Sequence, residues 1–179
     1  MRNIIIPTDL IEQDNSFAMV VYLMMQIKFY SNNGSELVVP ESIGAALEYV
    51  MPLSRRIKEK IINAFDCLVE LGYLNKENNY YYVDTDLFYC YETYMVCSEY
   101  AFDKLCCAPK LLRHYLILKD CEGEDFSLEF YADYEGVSTS TIKNYNRDLV
   151  ALHLIKINTA MYDPATGKRS GNNTYTVIN

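Results

Sequence analysis

The spacing of apolar residues changes period several times along the chain, and each change marks an element. Over 16–30 apolar residues occupy nearly every side of a helical wheel, which predicts a first helix enclosed by other elements or by a second subunit. Before it, Ile4-Ile5-Ile6 and Pro7 suit an edge strand or an arm laid against a neighbour. After it, Asn32-Asn33-Gly34-Ser35 signals a turn, Leu37-Val38-Val39 a short strand ended by Pro40, and 41–49 a second helix. Met51-Pro52 interrupts the pattern. Ser54 then caps a long helix whose inner stripe is Ile57, Ile61, Ala64, Phe65, Leu68 and Leu71, closed by Gly72. Tyr73-Leu74, the turn Lys76-Glu77-Asn78-Asn79 and 80–83 predict a hairpin.

The second half repeats this alternation. Pro109 opens a helix carrying Leu112, Tyr115, Leu116 and Leu118, with His114 in its middle as a partly buried polar residue. Ser127 caps a short helix to Glu135, Gly136 supplies the positive φ of a tight corner, and Val137 plugs it. Ser138 caps the next helix, whose stripe Ile142, Tyr145, Leu149 and Leu152 leaves Thr139, Ser140, Lys143, Asn144 and Arg147 facing outward. The stretch after Ile157 reads as a second hairpin, its loop holding Asp163-Pro164, Gly167 and Gly171 before an alternating strand over 174–178.

Setting Leu71-Gly72-Tyr73-Leu74 against Leu152-His153-Leu154-Ile155 gives an offset of 81 residues, which also matches Ile61 with Ile142 and Leu68 with Leu149. A period near half the chain length implies duplication. Gly136-Val137-Ser138, Thr141-Ile142, Leu149 and Leu154-Ile155, in this order, resemble the helix-turn-helix and strand start of winged-helix domains. His153 stands where such domains often carry glycine. The resemblance implies a mainly α fold with small β-hairpins (α+β). It divides the chain into an N-terminal winged helix over 1–83, a tyrosine-rich connector over 84–105 and a C-terminal winged helix over 106–179. The connector is expected to be ordered and to carry a helix over 92–105.

The same resemblance implies binding to double-stranded DNA. Thr139, Ser140, Lys143 and Asn144 would meet base edges, Arg147 a phosphate, and Lys168 and Arg169 in the wing would meet backbone or minor groove. Arg55, Arg56, Lys58 and Lys60 occupy the first turns of the matching helix in the first copy. Tandem winged helices of this kind resemble bacterial transcription regulators and plasmid or phage replication initiators and replisome organisers.

Charge complicates this picture. The chain carries a net charge of −8, whereas a DNA binder displaces phosphate counterions with a basic surface. Seven acids and no base lie over 120–135, and five more acids over 84–103. The alternative is therefore an acidic protein-interaction module whose winged helices bind a protein partner or compete for its DNA-binding surface.

Little else points to chemistry. The cysteines Cys67, Cys90, Cys97, Cys106, Cys107 and Cys121 lack CxxC spacing, and with two histidines they suit buried thiols better than a metal site. Glu122, Glu124 and Asp125 suit a solvated loop. No phosphate loop, nucleophile elbow or zinc helix is present, so no enzyme, cofactor or metal is expected. No apolar run reaches the ~20 residues that span a bilayer, and 1–9 does not resemble a signal peptide, which makes a cytoplasmic location the expectation and a membrane partner none. The all-round apolar first helix and the tyrosine-rich connector suggest a homodimer.

Overall fold

The computed structural model describes residues 3–13, 15–31, 34–35, 37–48, 54–82 and 94–178. These form two compact units, Met1–Leu112 and Arg113–Asn179. The fold combines helices with small, two-stranded antiparallel sheets. In the first unit the order is β1 (Asn3–Pro7), α1 (Thr8–Glu12), α2 (Ser16–Phe29), β2 (Tyr30–Ser31), β3 (Gly34–Ser35), α3 (Pro40–Glu48), α4 (Arg55–Glu70), β4 (Asn75–Glu77), β5 (Tyr80–Tyr82), β6 (Tyr94–Ser98) and α5 (Glu99–Leu105). The helix α6 (Pro109–Asp120) runs from the first unit into the second. There it is followed by α7 (Leu128–Glu135), α8 (Thr139–Ala151), β7 (Ile155–Asn158), β8 (Met161–Asp163), β9 (Lys168–Ser170) and β10 (Thr174–Val177).

Enclosure explains the composition of α2. Every residue from Ala18 to Met25 is buried, and the Gln26 amide donates to the Ile5 carbonyl at 2.7 Å. The helix packs against β1, α3 and α4, all within the first unit. Its apolar surface is thus consumed inside the chain, which removes one of the two grounds for expecting self-association.

The connector differs from its expected helix. Tyr94–Ser98 is a strand paired with β1, with Ile5 opposite Val96, and the helix begins only at Glu99, where the Ser98 hydroxyl accepts from Ala101 N–H. Met95 and Cys97 face the core while Tyr94 is exposed, a period of two that the local helical reading overlooked because the pairing partner lies at the other end of the unit. Residues 83–93, the Met51-Pro52 break and the Asn32-Asn33 turn lie outside the described residues.

The core stripe of α4 is Ile61, Ala64, Phe65 and Leu68, and Ser54 caps it by accepting from Ile57 N–H. At its end Leu71, Gly72 and Tyr73 N–H groups donate to the carbonyls of Cys67, Val69 and Leu68. Eighty-one residues later Leu152, His153 and Leu154 donate to Asp148, Val150 and Leu149 in the same pattern. Each is a helix end closed by one left-handed residue, Gly72 at φ 78° and His153 at φ 57°.

The equivalence extends through both hairpins. Lys76 lies opposite Tyr81, and its counterpart Ile157 lies opposite Tyr175. Tyr175 follows Tyr81 by 94 residues, thirteen more than 81, so β8, β9 and their turn are an extension that the first hairpin lacks. A third backbone segment joins each hairpin. Val38 exchanges two hydrogen bonds with Tyr81, of 2.8 and 2.7 Å. In the second unit Gly123 N–H donates to the Tyr175 carbonyl at 3.3 Å, and the Glu122 carboxylate accepts from Val177 N–H at 2.9 Å, doing with a side chain what a strand carbonyl does in the first.

A left-handed backbone strains any side chain that has a Cβ. Replacing His153 by glycine is expected to stabilise the chain by roughly 1 kcal/mol, and Gly72→Ala, where no neighbouring atom obstructs a Cβ, to cost a similar amount through the backbone alone. Urea unfolding midpoints of the two variants check both signs.

Candidate nucleic-acid interface

The corner expected over 127–138 forms by the hydrogen bonds its residues predict. The Ser127 hydroxyl accepts from Phe130 N–H, Gly136 is left-handed at φ 67°, and Val137 N–H donates to Ala132. The Ser138 hydroxyl accepts from Thr141 N–H at 3.2 Å. Beneath the corner, Tyr131, Ala132, Ile142 and Leu149 are buried.

A polar chain runs through this core. His114, fully buried, places Nδ1 2.5 Å from a Glu135 carboxylate oxygen and Nε2 2.9 Å from the Asn146 carbonyl oxygen. The Asn146 amide N–H donates in turn to the Tyr175 hydroxyl at 3.1 Å. Both imidazole nitrogens are thus engaged by side chains from two other helices, Glu135 on one side of the ring and Asn146 on the other. Tyr131 and Tyr145 flank the imidazole, with ring centroids 6.2 and 5.5 Å away. The chain fixes α6, α7, α8 and β10 to one another, since leaving any member unpaired exposes a polar group to a dry interior. Asn146 and Phe65 stand 81 residues apart. Phe65 packs on Tyr81 at 4.5 Å, so the same contact is aromatic in the first unit and hydrogen-bonded in the second.

The surface of α8 carries the candidate contacts. Ser140, Lys143, Asn144 and Arg147 are exposed, and Thr139 is half-buried at the first turn. Lys143 makes no ion pair among the described residues, and Arg147 approaches only Asp148, at 3.6 Å in solvent, a pairing of little energy. Lys168 and Arg169 are exposed on β9. In the first unit Arg55, Arg56, Lys58 and Lys60 are exposed on the early turns of α4. Three of these already have neighbours. Arg55 pairs with Glu59 at 3.0 Å, Lys58 lines a groove with Glu41 and Glu48, and the Lys60 ammonium lies 5.9 Å from the Phe17 ring centre.

The acids over 120–135 are partly committed to structure. Glu135 holds His114, Glu122 accepts from Val177, and an Asp125 carboxylate oxygen accepts from Asn172 N–H at 2.7 Å. The last contact fixes Gly171, where a Cβ would lie 2.6 Å from the Asp125 carboxylate. Exposed acids remain on α7 at Glu129 and Asp133, beside a ladder of stacked rings, Phe126 on Phe130 at 4.2 Å and Phe130 on Tyr134 at 6.0 Å.

Among the described residues no three His, Cys, Asp or Glu side chains converge as metal ligands, and no helix is long and apolar enough to cross a membrane. Burial, and secondarily the neighbouring Cys107 thiol 4.0 Å away, pushes the Cys106 thiol up to about 12 and keeps it protonated at neutral pH. Cys90 lies outside the described residues. Sequence reasoning missed the roles of Asn146, His114 and Glu135, although Asn146 sits in phase with Ile142 and Leu149. It also passed over Met161 and Tyr162, exposed on β8. No protein-family model matches the chain, no curated protein matches it, and no solved structure matches it.

Removing one partner from a buried hydrogen-bonded pair strands the other. Glu135→Ala is expected to cost on the order of 1 to 3 kcal/mol, because His114 Nδ1 is left without its partner in a dry interior. Asn146→Phe, which installs the residue of the first unit, is expected to cost about 1 to 3 kcal/mol because His114 Nε2 and the Tyr175 hydroxyl lose their partner. Chemical denaturation of each single variant and of the pair checks the two losses and their non-additivity.

Proposed function

We propose that the chain binds double-stranded DNA through two winged-helix units, with α8 as the principal recognition helix and the β8–β9 arm as its wing. The order of elements supports the fold reading. A helix, a bridging segment, two helices and a hairpin follow one another in each unit, with the bridging segment hydrogen-bonded to the second hairpin strand. The observation that carries the functional reading is the outward face of α8, where Lys143 and Arg147 are exposed without a strong ion pair while three of the nearby acids are held by hydrogen bonds within the unit. Ser138 caps that helix, so its first turns lead, and Ser140 and Asn144 have the donors and acceptors that read base edges. Lys168 and Arg169 add charge on the arm, and Arg56 on α4 offers a further contact in the first unit. The role is that of a transcription regulator or of an initiator of plasmid or phage replication, acting without enzymatic chemistry, in the cytoplasm.

A second reading rests on the outer face of α7. Stacked Phe126, Phe130 and Tyr134 beside Glu129 and Asp133 form an acidic aromatic surface suited to a cationic protein partner rather than to phosphate.

Fluorescence anisotropy on duplex DNA across a salt series separates the two. Wild-type affinity is expected to fall linearly on a log–log plot, and Lys143→Glu with Arg147→Glu to weaken binding on the order of tenfold or more and to reduce the slope by about one unit per lost phosphate contact. Absence of duplex binding at low salt, or a double variant indistinguishable from wild type, would overturn the assignment of α8. Light scattering on the same samples reads whether the chain is a dimer.

A further inference from the structure

The β8–β9 arm presents a combination that the fold does not need. Met161 is 82% exposed and Tyr162 64%, the two largest exposures among the large apolar side chains described, and they are adjacent. Neither packs a core, and a solvated hairpin is ordinarily polar. Tyr162 lies directly opposite Arg169 in the register, so a phenol ring and a guanidinium share one face of the ribbon, while Met161 and Lys168 occupy the other.

The arm is held firmly at its root. Asp125 accepts from Asn172 N–H, Ala160 N–H donates to the Asn173 side chain, and the Asn158 amide donates to Thr176 across the base of the hairpin. Its own acid, Asp163, accepts from the Thr166 hydroxyl and from Ala165 N–H within the turn, and these bonds hold its carboxyl below the usual range. Lys168 and Arg169 against the single carboxylate of Asp163 leave the arm with a net positive charge on a chain of −8.

We infer that this arm is a wedge, which inserts Tyr162 or Met161 against a base step of duplex DNA and distorts the helix there. An occupant must be anionic outside and flat and apolar within, and stacked bases between phosphates meet both requirements. Apolar side chains inserted from the minor groove partly unstack a step and kink the duplex, and cations beside them hold the flanking backbone. The paired ring and guanidinium favour a planar base over a lipid tail, because both offer flat faces to stack upon it. Duplex opening or bending by the arm is a function separate from recognition by α8. It rests on the DNA reading above.

The chain contains no tryptophan, so Tyr162→Trp installs a single indole at the tip without disturbing a buried residue. The full-length variant is titrated with a mixed-sequence duplex while anisotropy reports binding and indole emission reports stacking. The expected result is emission quenched several-fold with loss of iodide access. In otherwise wild-type protein, Met161→Ser with Tyr162→Ser keeps the salt slope but abolishes the change in end-to-end energy transfer of a doubly labelled duplex. Binding with unchanged, iodide-accessible emission overturns the wedge and leaves the DNA reading standing. Absence of binding overturns both. Shielding of the indole by vesicles of phosphatidylserine and phosphatidylcholine, without quenching by duplex, overturns the wedge in favour of a membrane surface.

Discussion

A carboxylate and an imidazole shut away from water tolerate few arrangements, and in the second unit the tolerated one ties three helices to a strand. Glu135 ends α7, His114 lies within α6, Asn146 lies within α8 and Tyr175 lies in β10, so each hydrogen bond spans a different pair of elements. Hydrophobic contacts alone allow facing helices to slide by fractions of a turn with modest penalty. A directional chain of this kind does not, because displacement of any link leaves a buried polar atom without its partner. The angle at which α8 leaves the corner is consequently set by polar geometry in the core rather than by the corner itself. The first unit solves the same problem differently. Phe65 against Tyr81 supplies packing area at the matching position, and Val38 supplies two backbone bonds where the second unit uses Gly123 and a glutamate side chain.

Charge follows from this architecture more than from composition. The acidic stretch over 120–135 looked like a barrier to any polyanion, yet Glu122, Asp125 and Glu135 have structural duties that turn them toward backbone or core groups. Helix α8 and the arm keep their cations exposed, with Arg147 beside Asp148 in solvent and Arg169 lining a groove with Glu129. A formal sum over the chain therefore says little about what α8 presents, since the length that matters for a charged ligand is the screening distance of roughly 10 Å. Glu129 and Asp133 belong to a different face of α7, along with its stacked rings, and supply the acidity on which the protein-partner reading depends.

Local signals were legible wherever one residue type performs a local task. Ser54, Ser127 and Ser138 cap the helices expected of them, Gly72 and Gly136 close them, and the stripe through Ile61, Phe65, Leu68, Ile142 and Leu149 is buried. Long-range partners were not legible. Nothing near Tyr94 announces that Pro7 will lie opposite it, so a strand was read as part of a helix. The His114 chain was hidden for the same reason, since its members are 21 to 32 residues apart and each has an ordinary explanation when taken singly, His114 as a partly buried polar residue. Asn146 alone breaks the apolar stripe in phase. A polar residue in a core position requires a polar partner, and asking for that partner leads to His114.

The thirteen-residue extension of the second hairpin separates two requirements that a short turn must satisfy together. In the first unit Asn78, left-handed at φ 55°, reverses the chain at once between Glu77 and Tyr80, and the turn offers little reach. In the second, reversal is delegated to the Asp163–Gly167 turn, well away from the core, and the root is anchored instead by Asp125 and the asparagines beside Gly171. A hairpin of six paired arm residues fixed only at its tip turn would be marginal in water. Anchoring the root shortens the free lever and lowers the entropy lost if the arm is held by a partner. The packing constraint at Gly171 thus bears directly on reach, because it sets the point from which Tyr162, Lys168 and Arg169 project.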